Sequence, residues 1–403
     1  MYSVDKNNKN DVLGTGTVQG GGTPPLGNIA KSTTPPLQNE ARKKRFELLS
    51  SIRSCYLAEG KKRGLLIATK YHRTSLCKHA MTSDLVDLWQ GKDPAKKDAK
   101  KGYFTGLQTC GSVWTCPICA NRIQEVRRQE IAKAMTHFYS KNKQAVMLTF
   151  TFPHTANDKL KKLLAMFSKA LSAFKSGEPW GRFRRKHGFE GLIRSLEITR
   201  GGNGWHPHTH ELFFVNKEID IDAFKSWCIE RWLAVCVRAG LVSEDDFAKQ
   251  DAFIQHSLDF KFNCSTSDYL AKFDDKANWG VDREIAKSST KKGKKSGMHP
   301  FELAYQNYYS LFIEYTEAIK KKRQIFWSKG LKEKVGLKDL EDEDIAETEE
   351  VEEDKLIGSL NKDEWYQVTK RELRSQVLDR IESDDSIQKI RSFILSSETK
   401  QNE

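Results

Sequence analysis

The chain has 403 residues, with 67 Lys and Arg against 54 Asp and Glu, a net charge of +13, and 38% hydrophobic residues. Eleven of the acids fall within positions 339–354, so the other 387 residues carry a net +24, which favours a polyanionic partner such as nucleic acid. The length predicts two or three domains. The sequence contains no run of about 20 apolar residues, so we predict no membrane-spanning helix. Residues 1–20 are too polar for a secretory signal, so we expect a cytoplasmic protein with reduced cysteines.

Two contrasting segments come first along the chain. Residues 1–43 are rich in Gly, Thr, Pro and Asn and contain the tetrapeptide TPPL twice. Such a composition buries too little apolar surface to offset the entropy of ordering, so we predict a disordered leader. Residues 44–140 are basic and cysteine-rich and are predicted to form a module of their own, with a helix over Asn121–Tyr139.

The cysteines of this module form a candidate metal site. Three of them fall within ten residues: Cys110, Cys116 and Cys119. Cys-x₂-Cys is a common half-site for zinc, which takes four sulfur or nitrogen ligands in structural sites. Cys77 is the best fourth ligand, with His72 and His79 as alternatives, and free buried thiols are the alternative for the whole group. The remaining cysteines are expected to be buried free thiols: Cys55, Cys228, Cys236 and Cys264.

Short strands and helices alternate over residues 141–335, which predicts an α+β domain. The predicted strands are Ala145–Phe152, Leu192–Thr199 and Trp205–Val215. The predicted helices are Leu160–Phe174, Ile221–Val237 and Leu303–Ile319. Residues 336–403 are predicted to form an acidic linker and a weakly helical tail. The acidic run either shields the basic surface against nonspecific DNA or is a plain solvated linker.

Alternating histidines in the third strand form a second candidate metal site. His208 and His210 share one face of the strand, as residues two apart do, and His206 continues the row. Two imidazoles on one strand make a good ligand pair for a divalent cation. Glu197 on the preceding strand is the expected third ligand if the Gly-rich loop closes a hairpin, although a slip of one residue would turn it away. Glu211 is the rival, but strand alternation points it to the opposite face.

Tyr269 and Lys272 form a third constellation, three residues apart on a predicted helix capped by Ser265 or Thr266. Tyrosine can act as a covalent nucleophile, and an adjacent ammonium favours its phenolate or a phosphate held beside it. The same pair is common on helix surfaces, so its meaning depends on the histidines.

Taken in order, these segments resemble a known family. Met147–Phe152, His208–His210 and Tyr269–Lys272 are similar to the three ordered motifs of HUH endonucleases, in particular the rolling-circle replication initiator (Rep) proteins of small bacterial plasmids. Cys116–Arg122 and Arg323–Ser328 are similar to flanking segments of that family. The resemblance covers about residues 75–330, and its specificity lies in the order and spacing of all the pieces.

The resemblance implies a fold and an activity. The fold is a central antiparallel sheet flanked by helices, with an N-terminal zinc module. His208, His210 and Glu197 would hold Mg²⁺ or Mn²⁺, while Tyr269 attacks a phosphate of origin DNA, forms a 5′-phosphotyrosine link and releases a 3′-hydroxyl primer. Lys272 would stabilise the developing charge. The implied partners are double-stranded and extruded single-stranded origin DNA, a host helicase and the replication machinery. The candidate DNA contacts are Tyr269, Lys272, Arg122, Arg127 and Arg128.

One position departs from the family pattern, and several alternatives stay open. Relatives often carry a glutamate one turn before the tyrosine, where this chain has Ser265, and Asp268 is a candidate replacement for activating water. A relaxase or transposase would use the same chemistry. A tyrosine that follows the histidines favours the replication or transposase branch, and the cysteine module favours replication between these two. A zinc hydrolase would need further His and Asp ligands nearby. A zinc-dependent DNA-binding regulator would leave the histidines and the tyrosine without a role. Two lysine-rich runs, 291–295 and 320–323, either contact phosphates or are solvated surface.

Overall fold

The computed structural model describes residues 35–92, 99–265, 297–347 and 354–396. Its helices are α1 (Pro35–Lys62), α2 (Pro117–Tyr139), α3 (Leu160–Phe174), α4 (Gly177–His187), α5 (Ile221–Ala239), α6 (Phe247–His256), α7 (Pro300–Tyr305), α8 (Tyr309–Ala318), α9 (Leu331–Lys334), α10 (Asp342–Glu347), α11 (Lys362–Lys370), α12 (Arg374–Glu382) and α13 (Ile387–Ser396). Its strands are β1 (Val86–Lys92), β2 (Lys100–Thr105), β3 (Lys143–Phe150), β4 (Gly191–Gly201), β5 (Gly204–Asn216), β6 (Leu258–Lys261), β7 (Ile325–Trp327) and β8 (Lys355–Leu360). Within these ranges, no helix is long and apolar enough to cross a membrane.

The central sheet has five strands in the order β6-β3-β5-β4-β7, and all neighbours are antiparallel. Its longest pairing is the β4–β5 hairpin, in which Gly201 pairs with Gly204 across a two-residue turn. Gly204 has a φ of +89°, and a Cβ at this position would lie 2.7 Å from the carbonyl oxygen of Thr155. Only glycine fits there without strain, so this tight turn fixes the register of the hairpin.

Helices cover both faces of the central sheet. One face carries Phe150 and Phe213, which share a buried cluster with Phe174 of α3 and Trp232 of α5. The other face packs against α2, where the ring of Phe138 stacks on Phe214 with centroids 4.2 Å apart. The α+β architecture with an antiparallel sheet flanked by helices is therefore confirmed, and α3 begins and ends at the residues that its apolar spacing predicts.

The predicted helix over Leu303–Ile319 is divided in two, because α7 ends at Tyr305 and α8 begins at Tyr309. Asn307 between them has a φ of +64°, in the left-handed region that a right-handed helix cannot continue through. Asparagine tolerates this conformation better than most residues do, which explains the break at this position.

A second sheet joins distant parts of the chain in the order β2-β1-β8. Leu360 of β8 pairs with Val86 of β1, 274 residues earlier. Helices α11 to α13 bury a separate core against this sheet, which includes Leu88, Phe104 and Trp365. The prediction of a linker and tail over 336–403 is thus corrected for residues 355–396. Their apolar side chains pack on a strand pair contributed by the N-terminal half of the chain.

Within the described residues, the structure also differs from the predictions for the N-terminal leader and for the acidic run. Helix α1 begins at Pro35, inside the segment 1–43 predicted as leader, and residues before it lie outside the described ranges. In the acidic run, Ile345 and Ala346 of α10 are buried in the main core. Three ion pairs join this segment to other parts of the protein: Asp339–Lys332 (3.0 Å), Asp342–Arg127 (2.9 Å) and Glu343–Arg73 (2.5 Å). Residues 339–347 are therefore packed structure and not a solvated linker.

Candidate metal centre

The β4–β5 hairpin brings together the carboxylate and the two histidines that the sequence singles out. Glu197 pairs with His208 in the register of the hairpin, and His210 lies two residues further along the same face. Glu197 Oε2 is 3.0 Å from His208 Nε2 and 3.4 Å from His210 Nε2. The three side chains offer one ligand atom each within a span of 4.8 Å.

Burial and charge act in opposite directions on Glu197. The residue is 4% exposed, and this burial would raise the pKa of its carboxyl. The charges and hydrogen bonds of His208 and His210 outweigh that effect and hold the pKa well below its usual value. An ionised carboxylate buried between two imidazoles is stable only when its charge is compensated, and a bound cation would compensate it fully.

The spacing and chemistry of these donors fit a divalent cation. In an octahedral site with bonds of about 2.1 Å, adjacent ligand atoms lie about 3.0 Å apart, close to the two separations on Glu197. Two imidazole nitrogens and one carboxylate oxygen leave positions for water and substrate oxygens. His210 Nδ1 lies 3.0 Å from the hydroxyl of Thr149, a contact that fixes the ring with Nε2 towards the centre.

Strand alternation separates the rival carboxylate from this group. Glu211 is fully buried on the opposite face of β5, where the Lys175 ammonium lies 2.7 and 2.8 Å from its two oxygens. This paired carboxylate is unable to reach His208 or His210, as the alternation predicts.

Two further histidines lie beside the centre and were missed by the sequence analysis. His154 follows β3, and its Nε2 lies 2.8 Å from Nδ1 of His206, while its Nδ1 lies 2.9 Å from the carbonyl oxygen of Asn203. His299 is held near β4 by the bridge between Met298 and Arg200, and burial lowers its pKa to about 4 against the opposing charge of Glu197. No sequence spacing predicts that His299 lies near the centre, because it is 102 residues beyond Glu197 in the chain.

The four predicted cysteine ligands form a second group. Cys77 Sγ lies 3.6 Å from the sulfurs of both Cys116 and Cys119, and Cys110 Sγ lies 3.7 Å from that of Cys119. In a tetrahedral zinc site with bonds of about 2.3 Å the sulfurs are about 3.8 Å apart, so the arrangement fits zinc closely. All four residues are buried, and Cys116 also caps the N-terminus of α2. The site therefore anchors the helix that covers one face of the central sheet.

The alternative ligands and the other cysteines lie outside this group. His72 stacks on Tyr56 with ring centroids 4.5 Å apart, and its Nδ1 accepts a hydrogen bond from the amide of Thr74. His79 is likewise not among the four clustered residues. The remaining cysteines are buried and form no disulfide with one another, as expected for reduced thiols: Cys55, Cys228, Cys236 and Cys264.

The predicted nucleophile lies beyond the part of the chain that the structure describes. Tyr269, Lys272 and Asp268 fall in the gap between residues 265 and 297, as does the lysine-rich run 291–295.

Of the three arginines predicted to contact DNA, Arg127 is buried and bonded to Glu130, Asp342 and the carbonyl oxygen of Leu340. Such a guanidinium is engaged within the protein, which does not favour the predicted DNA contact. Arg128 pairs with Glu125 at the surface of α2, and Arg122 is partly exposed on the same helix.

The His-x-His strand beside a carboxylate, on an antiparallel sheet, forms a candidate site for a divalent cation. Residues 104–234 match the family model described as a replication protein, Rep_1. The matched segment includes both histidines, Glu197 and three of the four clustered cysteines.

Two curated relatives agree with this match. The chain is 24% identical to "Protein rep" of Streptomyces lividans over 72% of its own length and 78% of the relative. It is 32% identical to a protein named "Neomycin resistance protein" of Streptomyces cyanogenus, over 30% of its own length and 33% of that protein. No solved structure matches significantly. The similarity to Rep proteins that the motifs predict is thus confirmed, by a replication-protein model over residues 104–234 and by a Rep protein over 72% of the chain.

Proposed function

We propose that this protein initiates rolling-circle replication by nicking single-stranded DNA at a plasmid origin through Tyr269. The observation that carries the proposal is the grouping of Glu197, His208 and His210 on one hairpin of a Rep-related chain. A replication protein that only bound DNA would have no need for a buried carboxylate between two imidazoles.

The hairpin residues would hold Mg²⁺ or Mn²⁺ through Glu197 Oε2 and the Nε2 atoms of His208 and His210. When bound, this cation supplies Lewis-acid polarisation of the scissile phosphate. Tyr269 attacks the phosphorus, so that a bond forms from its phenolic oxygen and the bond from phosphorus to the 3′-oxygen breaks. The phenolic proton leaves to solvent, and the released 3′-oxygen takes up a proton to become the primer hydroxyl. Lys272 favours the phenolate and the negative charge on the phosphate.

The remaining parts of the proposal concern DNA and zinc. Unpaired origin DNA is the substrate, with Arg122 and Arg128 of α2 as phosphate contacts, and the host helicase and polymerase act on the product. The cysteine group binds a structural Zn²⁺ that holds the start of α2. Because α2 packs on the sheet face that carries Phe214, zinc loss would disturb the domain without entering the chemistry.

The test uses an oligonucleotide that carries the nick site of the plasmid's own origin. Wild-type protein with Mg²⁺ or Mn²⁺ is expected to form an adduct that resists denaturant, and EDTA abolishes it. Tyr269→Phe removes the adduct and His208→Ala weakens it at least 100-fold, because a single lost ligand leaves the cation weakly held. Exposed residues provide matched controls, and Tyr366→Phe and His256→Ala should behave as wild type.

The outcomes separate the competing functions. An adduct that persists in Tyr269→Phe would overturn the assignment of the nucleophile. Tight origin binding with no adduct under any metal condition would instead favour a zinc-dependent regulator. Adduct formation at a transfer origin but not at the replication origin would favour a relaxase.

A further inference from the structure

The loop that follows α1 carries three consecutive apolar residues at the protein surface. Leu65 and Ile67 are 39% and 47% exposed, and Leu66 is fully exposed. Single exposed apolar residues are common on soluble proteins, but a run of three is unusual unless the run has a function. We name Leu65, Leu66 and Ile67 the apolar tip. Its exposure indicates a contact surface.

Backbone contacts fix the position of the apolar tip. The amide of Leu65 donates to the carbonyl of Gly60 at 3.0 Å, and the amide of Lys70 donates to the carbonyl of Ile67 at 3.0 Å. Gly60 lies so close to Ala68 that a Cβ on the glycine would be 2.4 Å from the carbonyl oxygen of Ala68. The two ends of the loop are therefore in contact with each other, and the loop has a defined shape.

Arg63 joins this loop to the end of α8. Its guanidinium donates to Glu59 and to Glu317 of α8, at 2.6 Å in each case, and lies 4.9 Å from the ring centroid of Tyr71. Both of these carboxylates are thus paired with a cation. The lysine-rich run 320–323 begins three residues after Glu317, so this contact places the run beside the loop.

Positive charge adjoins the apolar tip. Residues 60–73 contain five Lys and Arg and no Asp or Glu. Lys61 and Lys70 are exposed on the two sides of the tip in the chain, and Lys320 is exposed at the end of α8. Among the described residues, none of these three lysines forms an ion pair with a carboxylate. Their charges therefore remain for an anionic partner.

An apolar side chain between lysines matches the minor groove of duplex DNA. Proteins that kink DNA insert leucine, isoleucine or a similar side chain between two base pairs from this groove. The groove is only about 6 Å wide, so phosphates of both strands lie close to the inserted side chain and within reach of flanking lysines. An anionic membrane would offer the same charge. The choice of DNA rests on the proposed function, whose substrate is plasmid origin DNA.

We infer that the apolar tip inserts into the minor groove of duplex origin DNA, with Leu66 as the wedge between two base pairs. Lys70 and Lys320 contact phosphates beside the wedge. Insertion unstacks the two base pairs and kinks the duplex by about 20–90°. Because the proposed nicking requires unpaired DNA, this kink assists the opening of the origin. The wedge uses no residue of the candidate metal centre.

The test measures the bend of a duplex that carries the plasmid's own origin, by energy transfer between fluorophores at its two ends. The full-length, zinc-loaded protein is used at saturation, without added Mg²⁺ or Mn²⁺. Wild type should increase the transfer. Leu66→Ala should remove most of this increase, because alanine is too short to separate two base pairs, whereas Leu66→Phe keeps an apolar wedge and should bend the duplex as wild type does.

Two further variants separate the wedge from general effects. Leu395→Ala removes another exposed leucine, on α13, and should bend the duplex as wild type does. Lys70→Ala/Lys320→Ala should lower the slope of log affinity against log salt by about 1.8, since each lost phosphate contact contributes about 0.9. Because Leu66 is fully exposed, the melting temperature of Leu66→Ala should equal that of wild type.

The outcomes are distinct. Equal bending by Leu66→Ala and wild type would overturn the inference, and so would binding of wild type to the duplex without a bend. Binding of wild type to phosphatidylglycerol vesicles that Leu66→Ala abolishes, with DNA bending unchanged, would assign the apolar tip to a membrane instead. Leu66→Ala should still form the adduct on a single-stranded origin oligonucleotide, which needs no opening. A bend without an adduct in wild type would remove the nicking proposal and leave the wedge supported.

Discussion

Thr149→Val tests whether the hydrogen bond behind His210 supports cation binding. Thr149 lies opposite His210 in the β3–β5 register, with its hydroxyl oxygen 3.0 Å from Nδ1. When His210 binds a cation through Nε2, Nδ1 carries the proton and donates it to this hydroxyl. Valine has nearly the shape of threonine but no acceptor, so the ring loses its orienting partner and little else.

The expected loss of metal affinity follows from the position of the hydrogen bond between Thr149 and His210. Removing an outer-shell hydrogen bond lowers metal affinity about 10- to 100-fold, which is about 1.4–2.7 kcal/mol at 1.36 kcal/mol per decade. His210 is 8% exposed, so water replaces the lost hydroxyl poorly. We therefore expect the upper part of that range, about 30- to 100-fold.

The assay is titration calorimetry of Mn²⁺ into the full-length, zinc-loaded protein. Thr151→Val is the matched control, because Thr151 lies two residues further along the chain and its hydroxyl is 3.3 Å from the carbonyl oxygen of Ser257, away from His210. Saturating Mn²⁺ should restore adduct formation to Thr149→Val. If Thr149→Val binds Mn²⁺ as tightly as wild type, the assignment of His210 Nε2 as a ligand fails.

Three other predictions address zinc, the second core and pH. Cys116→Ser should reduce zinc from one ion per chain to near none and lower the melting temperature, and an unchanged zinc content by mass spectrometry would refute the four-sulfur site. Trp365→Ala should lower the unfolding free energy measured in denaturant by about 3–5 kcal/mol. The ring is 2% exposed, and its indole nitrogen donates to the carbonyl of His79 at 2.9 Å. A loss below about 1 kcal/mol would contradict the second core. Burial lowers the pKa of His72 to about 4 from 6.5, so the unfolded chain takes up this proton first and stability falls as the pH drops from 6.5 towards 4. His72→Gln should remove about 2–3 kcal/mol of that loss, and identical pH profiles of unfolding free energy would exclude a neutral His72 in the folded protein.

The grouping of Glu197, His208 and His210 could be predicted because these residues are close in the chain. Glu197 and His208 are joined by one tight turn, and strand alternation then decides which side chains share a face. The same alternation correctly separates Glu211. The cysteine group could be predicted for a similar reason. Three of its members lie within ten residues, and a structural zinc site takes four ligands.

Contacts between distant segments could not be predicted. The pairing of Leu360 with Val86 and the approach of His299 to β4 depend on tertiary packing that local periodicity does not encode. Arg127 shows the same limit in electrostatics. From the sequence alone, the positive charge of Arg127 suggests a DNA contact. In the fold, its guanidinium is instead bonded to Asp342, which lies 215 residues further along the chain.

We propose that Tyr269 becomes covalently joined to the 5′-phosphate of the cleaved origin strand. The most direct measurement is peptide mapping by mass spectrometry of the adduct formed with Mn²⁺, after digestion of both protein and DNA. We expect a single modified peptide that contains Tyr269 and carries a nucleotide 5′-phosphate, together with a free 3′-hydroxyl on the released fragment. A modification on any other residue, or a nick that leaves no protein attached, would contradict it.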